Sequence, residues 1–192
     1  MPHDMGGKMG YKAFLLQYIF KPRTVGAILP SSKYLAEKMV AGINFDNAEC
    51  IVEYGPGTGA FTEKILQNRK SDTVVILFEM NNAFCKALEK KYGGEPNLYI
   101  INDSAQNIGQ QLESRSIMYA DYIVSGLPFA SLPQDVSLNI LTETKKHLNP
   151  IGMFITFQYT LLKKDLITRF FDKIEIEREL RNVPPAYVLR CR

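Results

Sequence analysis

Four short stretches of the chain place polar groups at the ends of apolar runs, where a folded sheet would present them. The first is Glu53-Tyr54-Gly55-Pro56-Gly57-Thr58-Gly59, directly after Cys50-Ile51-Val52. Alternate glycines let a backbone turn sharply and approach a ligand closely, because no Cβ stands in the way. An acid two residues before the first glycine suits a ligand with a cationic ammonium and would repel a pyrophosphate. Glu79 closes the run Thr73–Phe78 and lies 20 residues beyond Gly59. At that distance nucleotide-binding sheets place a carboxylate on ribose hydroxyls. Asp103 follows Leu98–Ile101 and can also cap the next turn through its own side chain. Ser125-Gly126-Leu127-Pro128-Phe129 follows Tyr122-Ile123-Val124, and ligands of open α/β sheets bind beyond the carboxyl ends of the strands.

These stretches need a scaffold of strands and helices. The continuous apolar runs Cys50–Val52 and Thr73–Phe78 read as strands buried on both faces of a parallel sheet. Leu98–Ile101, Tyr122–Val124 and Met153–Tyr159 add three more. Helices are predicted from Phe61 past Leu66, from Ala83 to Tyr92 before Gly93-Gly94, and from Val136 to Leu148 before Asn149-Pro150. The tail, Lys173–Leu180 and Tyr187–Arg190 around Pro184-Pro185, reads as an antiparallel hairpin. Near the start, Tyr11, Phe14, Leu15, Tyr18 and Ile19 share one helical face, which Pro22 ends. That helix, with basic flanks, suits either a membrane interface or a lid. Ser31 or Ser32 can cap a helix over Tyr34–Ala41. The expected fold is α/β: a single Rossmann-like domain with a mostly parallel seven-stranded sheet, N-terminal helices and the C-terminal hairpin. Residues 1–42 form its amphipathic helix and cap segment, and residues 43–192 its cofactor-binding core.

With 192 residues, 46% hydrophobic and 22% charged, the chain suits one soluble domain. Cys50, Cys85 and Cys191 are widely spaced, form no C-x-x-C pair and have only two histidines to help them, so they read as reduced structural thiols and no metal is expected. No signal-peptide pattern or membrane-spanning run is present, so the expected location is cytoplasmic, with any membrane contact peripheral. Residues 1–40 hold six basic groups against two acidic ones, while the remainder holds 17 against 18. An anionic partner is therefore expected at the N-terminal end.

The glycine stretch resembles motif I of the class I S-adenosylmethionine-dependent methyltransferases. That resemblance implies S-adenosyl-L-methionine as cofactor, with Glu53, Gly55, Gly57, Thr58, Gly59, Glu79, Met80, Asp103, Ser104 and Ser125 around it. It puts Met80 beside the adenine and lets Asp103 accept from the adenine amino group. Leu127-Pro128-Phe129 fits the Asn-Leu/Ile-Pro-Tyr/Phe motif of the ribosomal RNA adenine dimethyltransferases, but Gly126 stands where they carry asparagine. Those enzymes also generally carry a further RNA-binding domain, for which this chain leaves no room.

Bacterial phospholipid N-methyltransferases, which methylate phosphatidylethanolamine, are similar over nearly the whole chain. The similarity runs through Val25-Gly26-Ala27-Ile28-Leu29-Pro30-Ser31-Ser32, the Glu53–Gly59 loop, Ser125-Gly126-Leu127-Pro128 and Asn182-Val183-Pro184-Pro185-Ala186. A related ornithine-lipid methyltransferase would share much of this pattern. The resemblance implies a phospholipid substrate taken at an anionic membrane surface, with nucleic acid disfavoured. Ser125, Gly126, Leu127, Pro128, Tyr18 and Tyr187 are candidate catalytic positions. Ser31, Ser32, Tyr159, Arg181 and Arg190 are candidate substrate contacts, the arginines for phosphate. Neither His3 nor His147 is placed as a base, so catalysis is expected to rest on positioning. Methylation of RNA or of another small amine, and cofactor binding without catalysis, are the competing readings.

Overall fold

The computed structural model describes residues 32–192. The helix over Tyr11–Phe20 with Tyr18, and the segment from Thr24 to Ser31, lie outside the described residues. Seven strands form one sheet: β1 (Cys50–Tyr54), β2 (Val74–Phe78), β3 (Leu98–Ile101), β4 (Ala120–Ser125), β5 (Leu148–Gln158), β6 (Ile174–Glu179) and β7 (Ala186–Cys191). Their spatial order is β3-β2-β1-β4-β5-β7-β6. The first five run parallel, and β7 is antiparallel to both β5 and β6. Strand order reverses between β1 and β4, so a crevice opens at their carboxyl ends.

Alternating side chains explain the unbroken apolar runs. Val52, Tyr54, Ile76 and Phe78 enter one hydrophobic layer, and Ile51, Val75 and Leu77 enter the other. Among the described residues three helices cover the second face: α1 (Lys33–Val40), α2 (Ala60–Asn68) and α3 (Asn82–Tyr92). They bury Leu35 and Met39, Phe61 and Ile65, and Leu88 and Tyr92 against it. The first face is covered by α4 (Ile108–Glu113), α5 (Gln134–His147) and α6 (Lys164–Thr168). These contribute Ile108 and Leu112, Ile140 and Leu141, and Leu166 and Ile167. Burying a Leu, Ile or Phe side chain in such a layer contributes about 1.5–3 kcal/mol.

Ser32 caps α1, its Oγ accepting from Leu35 N at 3.1 Å. Ser32 N donates to Asn182 Oδ1 at 3.0 Å, and Asn182 Nδ2 donates to Pro184 O at 2.7 Å, which ties the start of α1 to the β6–β7 turn. Three differences from the sequence reading stand out. The α5 helix ends at His147, and Leu148 is already extended and paired with Ala120. The register shifts between Ala120 and Tyr122, and this irregular stretch accommodates Pro150, which cannot donate to a ladder. The five- and six-residue helices α6 and α4 went unread, because one turn carries too little periodicity to recognise.

Asp121 fastens the amino ends of the central strands. Its Oδ2 accepts from Glu49 N at 2.8 Å and Cys50 N at 3.0 Å, and its Oδ1 accepts from Asn149 Nδ2 at 3.0 Å. Asp121→Ala should lower unfolding free energy by about 1.5–3 kcal/mol, the usual range for a charge-assisted bond to a carboxylate. Urea titration checks this, and an unchanged midpoint would show the bonds to be dispensable.

Candidate active site

A cavity of about 300 Å³ lies at the crevice between β1 and β4. Its floor is the loop after β1, where Gly55, Gly57 and Gly59 hold φ of 65°, 55° and 84°, values that L side chains rarely adopt. Gly55 N donates to Phe78 O at 2.8 Å, which fixes the loop to the end of β2. Gly57 N donates to Glu79 Oε2 at 3.1 Å, and Asn81 N donates to Glu79 Oε1 at 2.8 Å. The Glu79 carboxylate therefore stands on the cavity wall with a fixed orientation. Burial pushes its pKa up, opposed by the donors from Asn81 and Gly57.

The loop after β4 closes against this floor. Gly126 N donates to Tyr54 O at 2.8 Å, and a Cβ on Gly126 would lie 2.7 Å from Gly55 O. Only glycine permits the two backbones to come this close. Ser125 is fully buried, and its Oγ accepts from Leu127 N at 3.2 Å. Gly126, Leu127 and Pro128 line the cavity, with Phe157, Gln158 and Tyr159 from the end of β5 opposite them. Phe157 meets Phe61 edge-on at 5.7 Å and Tyr159 at 5.4 Å, forming an aromatic wall.

Of the residues singled out in the sequence, Gly55, Gly57, Thr58, Glu79, Met80, Asp103, Gly126, Leu127, Pro128 and Tyr159 come together around this one cavity. Asp103 also turns its own chain, accepting from Ser104 N at 2.7 Å and Asn107 Nδ2 at 2.8 Å. The others lie elsewhere. Gly59 starts α2 and packs against Leu88 and Tyr92, and Ser104 caps a 3-10 turn over Ala105–Asn107. Ser125 sits behind its loop and Ser32 caps α1, neither on the cavity wall.

Tyr187 is paired within the sheet, opposite Gln158 and Arg178, with the Arg178 guanidinium over its ring at 5.5 Å. The two arginines are held by acids of the outer strand. Arg181 forks onto Glu179 at 3.0 and 3.2 Å and lies over the Tyr34 ring, holding the Glu179 carboxyl down to about 2. Arg190 reaches Glu177 Oε2 at 3.0 Å and Lys38 O at 3.1 Å. Alternating glutamates along β6 supply partners that the sequence reading left out of account. Phe61, Phe84, Phe157 and Gln158 line the cavity and were missed. Gln158 had a visible signal, as a polar residue ending the apolar run of β5.

Glu53 is the main correction. It is wholly buried behind the glycine loop and does not line the cavity. Its Oε2 accepts from Thr62 Oγ1 at 2.7 Å, and its Oε1 has no hydrogen-bond partner among the described residues. Burial pushes its pKa up to about 8; the Thr62 donor opposes the shift and the Glu79 charge adds to it. An orphaned carboxylate oxygen under a cavity floor suits a ligand that brings a positive charge above it. The cradle fits S-adenosylmethionine on three counts: this buried acid, the Glu79 carboxylate at a strand end, and the apolar Met80 and Phe84 beside Asp103.

Residues 27–173 match the ribosomal RNA adenine dimethylase family. An ornithine lipid N-methyltransferase of Singulisphaera acidiphila is 32% identical over 93% of this chain and 94% of its own length. Ribosomal RNA small subunit methyltransferase A of Alkaliphilus oremlandii is 28% identical over 48% of the chain, which spans only 31% of that protein. Among solved structures, a precorrin-6y C5,15-methyltransferase of Geobacter metallireducens superposes with a TM-score of 0.65 at 10% identity, covering 82% of this chain and 87% of that one. The T. thermophilus 16S rRNA N2 G1207 methyltransferase in complex with AdoMet and guanosine superposes with a TM-score of 0.64 at 17% identity, covering 88% of this chain and 44% of that one.

Glu53 gives the unliganded protein a defined pH dependence. Its carboxyl binds a proton more tightly when folded, so its contribution is complete below pH about 4.5 and is lost as pH rises through about 8. Wild-type melting temperature should therefore fall across that window, and Glu53→Gln should flatten the fall. Parallel curves for the two proteins from pH 5 to 9 would show that Glu53 is ionised throughout.

Proposed function

The chain belongs to the ribosomal RNA adenine dimethylase family and is an S-adenosylmethionine-dependent N-methyltransferase; from that premise we propose that its acceptor is the amine of a membrane lipid, such as phosphatidylethanolamine or an ornithine lipid. The observation that carries this reading is the end-to-end similarity to a lipid N-methyltransferase, over 93% of this chain and 94% of the relative. Two similar ribosomal RNA methyltransferases are matched over 31% and 51% of their length. Gly126 supports the same reading, because it offers no side-chain amide to a planar base. The basic and aromatic residues before Lys33 would supply contact with an anionic membrane surface, at about 1 kcal/mol for each cation near it. No helix among the described residues is long and apolar enough to cross a membrane.

S-Adenosylmethionine supplies a methyl group on a cationic sulfonium. In this reading Glu79 holds the ribose hydroxyls, Met80 and Asp103 flank the adenine, and the loop from Gly55 to Thr58 lies under the methionine end. A sulfonium above that loop would favour the ionised form of Glu53, which would then act from behind the loop through a charge that a low-dielectric interior screens weakly. The wall formed by Leu127, Pro128, Phe157 and Tyr159 excludes water and orients an unprotonated amine toward the methyl. The chain's part would be to hold the unprotonated amine in line with the sulfonium methyl, so that the methyl would pass to nitrogen as its bond to sulfur breaks, and the proton the product ammonium then loses would go to water. Among the described residues no histidine lines the cavity. Orientation and desolvation therefore carry the rate.

Incubation with methyl-labelled cofactor should place label in phosphatidylethanolamine or ornithine-lipid vesicles. Label appearing in 16S ribosomal RNA and absent from both lipids would overturn the assignment. Independently, Glu79→Ala should weaken binding of S-adenosylhomocysteine by roughly 10- to 100-fold, the cost of losing one charge-assisted contact. Calorimetry that returned wild-type affinity would remove Glu79 from the ribose.

A further inference from the structure

The end of β5 reaches across the cavity to the turn after β4 through one side chain. Gln158 is 5% exposed. Its Nε2 donates to Leu127 O at 3.0 Å and to Thr156 Oγ1 at 3.2 Å, while its Oε1 accepts from Ala130 N at 3.4 Å. Among the described residues the turn's own backbone bonds are local, Phe129 N to Leu127 O at 3.0 Å, Ser131 N to Pro128 O at 2.9 Å and Leu132 N to Pro128 O at 3.1 Å. It has no ladder of its own; the Gln158 amide ties its backbone to β5, while the buried Phe129 ring packs edge-on against Phe154 of the same strand at 6.2 Å. Leu127 O receives both Gln158 Nε2 and Phe129 N, so its two lone pairs are taken.

We propose that Gln158 is a positioning residue for the methyl acceptor, holding the Leu127–Ser131 turn in the shape that receives the amine; this rests on the methyl-acceptor site assigned above. An amide is required because the position needs a donor toward Leu127 and an acceptor toward Ala130. Glutamate lacks the donor, leucine lacks both, and asparagine is one methylene short. With Leu127 O saturated, the amine is oriented by the shape of the wall rather than by that carbonyl.

The test compares full-length wild type with Gln158→Leu and Gln158→Glu. In the free protein, amide exchange over residues 127–131 should quicken at least tenfold in Gln158→Leu, with β1 and β2 unchanged. S-Adenosylhomocysteine affinity should stay within twofold of wild type while kcat on phosphatidylethanolamine vesicles falls at least tenfold. Activity of Gln158→Glu relative to wild type should rise as pH falls, because the protonated acid regains a donor for Leu127 O. Unchanged exchange, an equal loss of cofactor affinity, or a Gln158→Glu activity ratio independent of pH would each overturn the proposal. If vesicles take no label and ribosomal RNA does, the lipid assignment fails, and the same kinetic comparison on RNA decides the role of Gln158. If neither takes label, the exchange result decides it.

Discussion

The contact on which the site depends is one of backbone against backbone. Gly126 N bonds to Tyr54 O, and the Cα of Gly126 stands so near Gly55 O that a methyl group would not fit between them. This closeness joins the loops after β1 and β4 at the point where strand order reverses. It makes one cavity out of two loops that the sequence separates by some 70 residues. In the proposed reading donor and acceptor meet at that seam, with the cofactor on the first loop and the acceptor against the second.

Around this seam the described residues place two carboxyl groups with no cation beside them. Glu53 is wholly buried with one oxygen unpartnered, and Glu79 is held by backbone N–H groups rather than by a cation. By contrast, the acids of β6 are matched by Lys38, Arg181 and Arg190. The difference separates two uses of carboxylates. On the outer strand they stitch elements together, and at the cavity they wait for a charge that the fold itself withholds. A site so arranged favours a cationic ligand and a reaction that leaves the protein groups unchanged.

Much of the cofactor side was legible in the sequence, because each part is local. A strand, a glycine turn and a helix adjoin in the chain, and the acids that end β2 and β3 mark their strand ends unaided. Even there, spacing could not distinguish a residue on the cavity wall from one behind it, as Glu53 and Gly59 show. The acceptor side was less legible because it depends on long-range pairing. Gln158 matters through Leu127 and Ala130, more than 25 residues away. Arg181, Arg190 and Tyr187 read as functional until β6 supplied their partners. Irregular pairing around Pro150 hid the true start of β5 for a similar reason.

The bond from Ser32 N to Asn182 Oδ1 spans 150 positions of sequence. During synthesis the start of α1 emerges 150 residues ahead of its partner. The first described helix is thus fully anchored only after all five parallel strands have emerged and had their chance to assemble. Contacts of such separation close last and slowly. The hairpin of β6 and β7 is therefore the latch of the fold rather than an ornament on its edge.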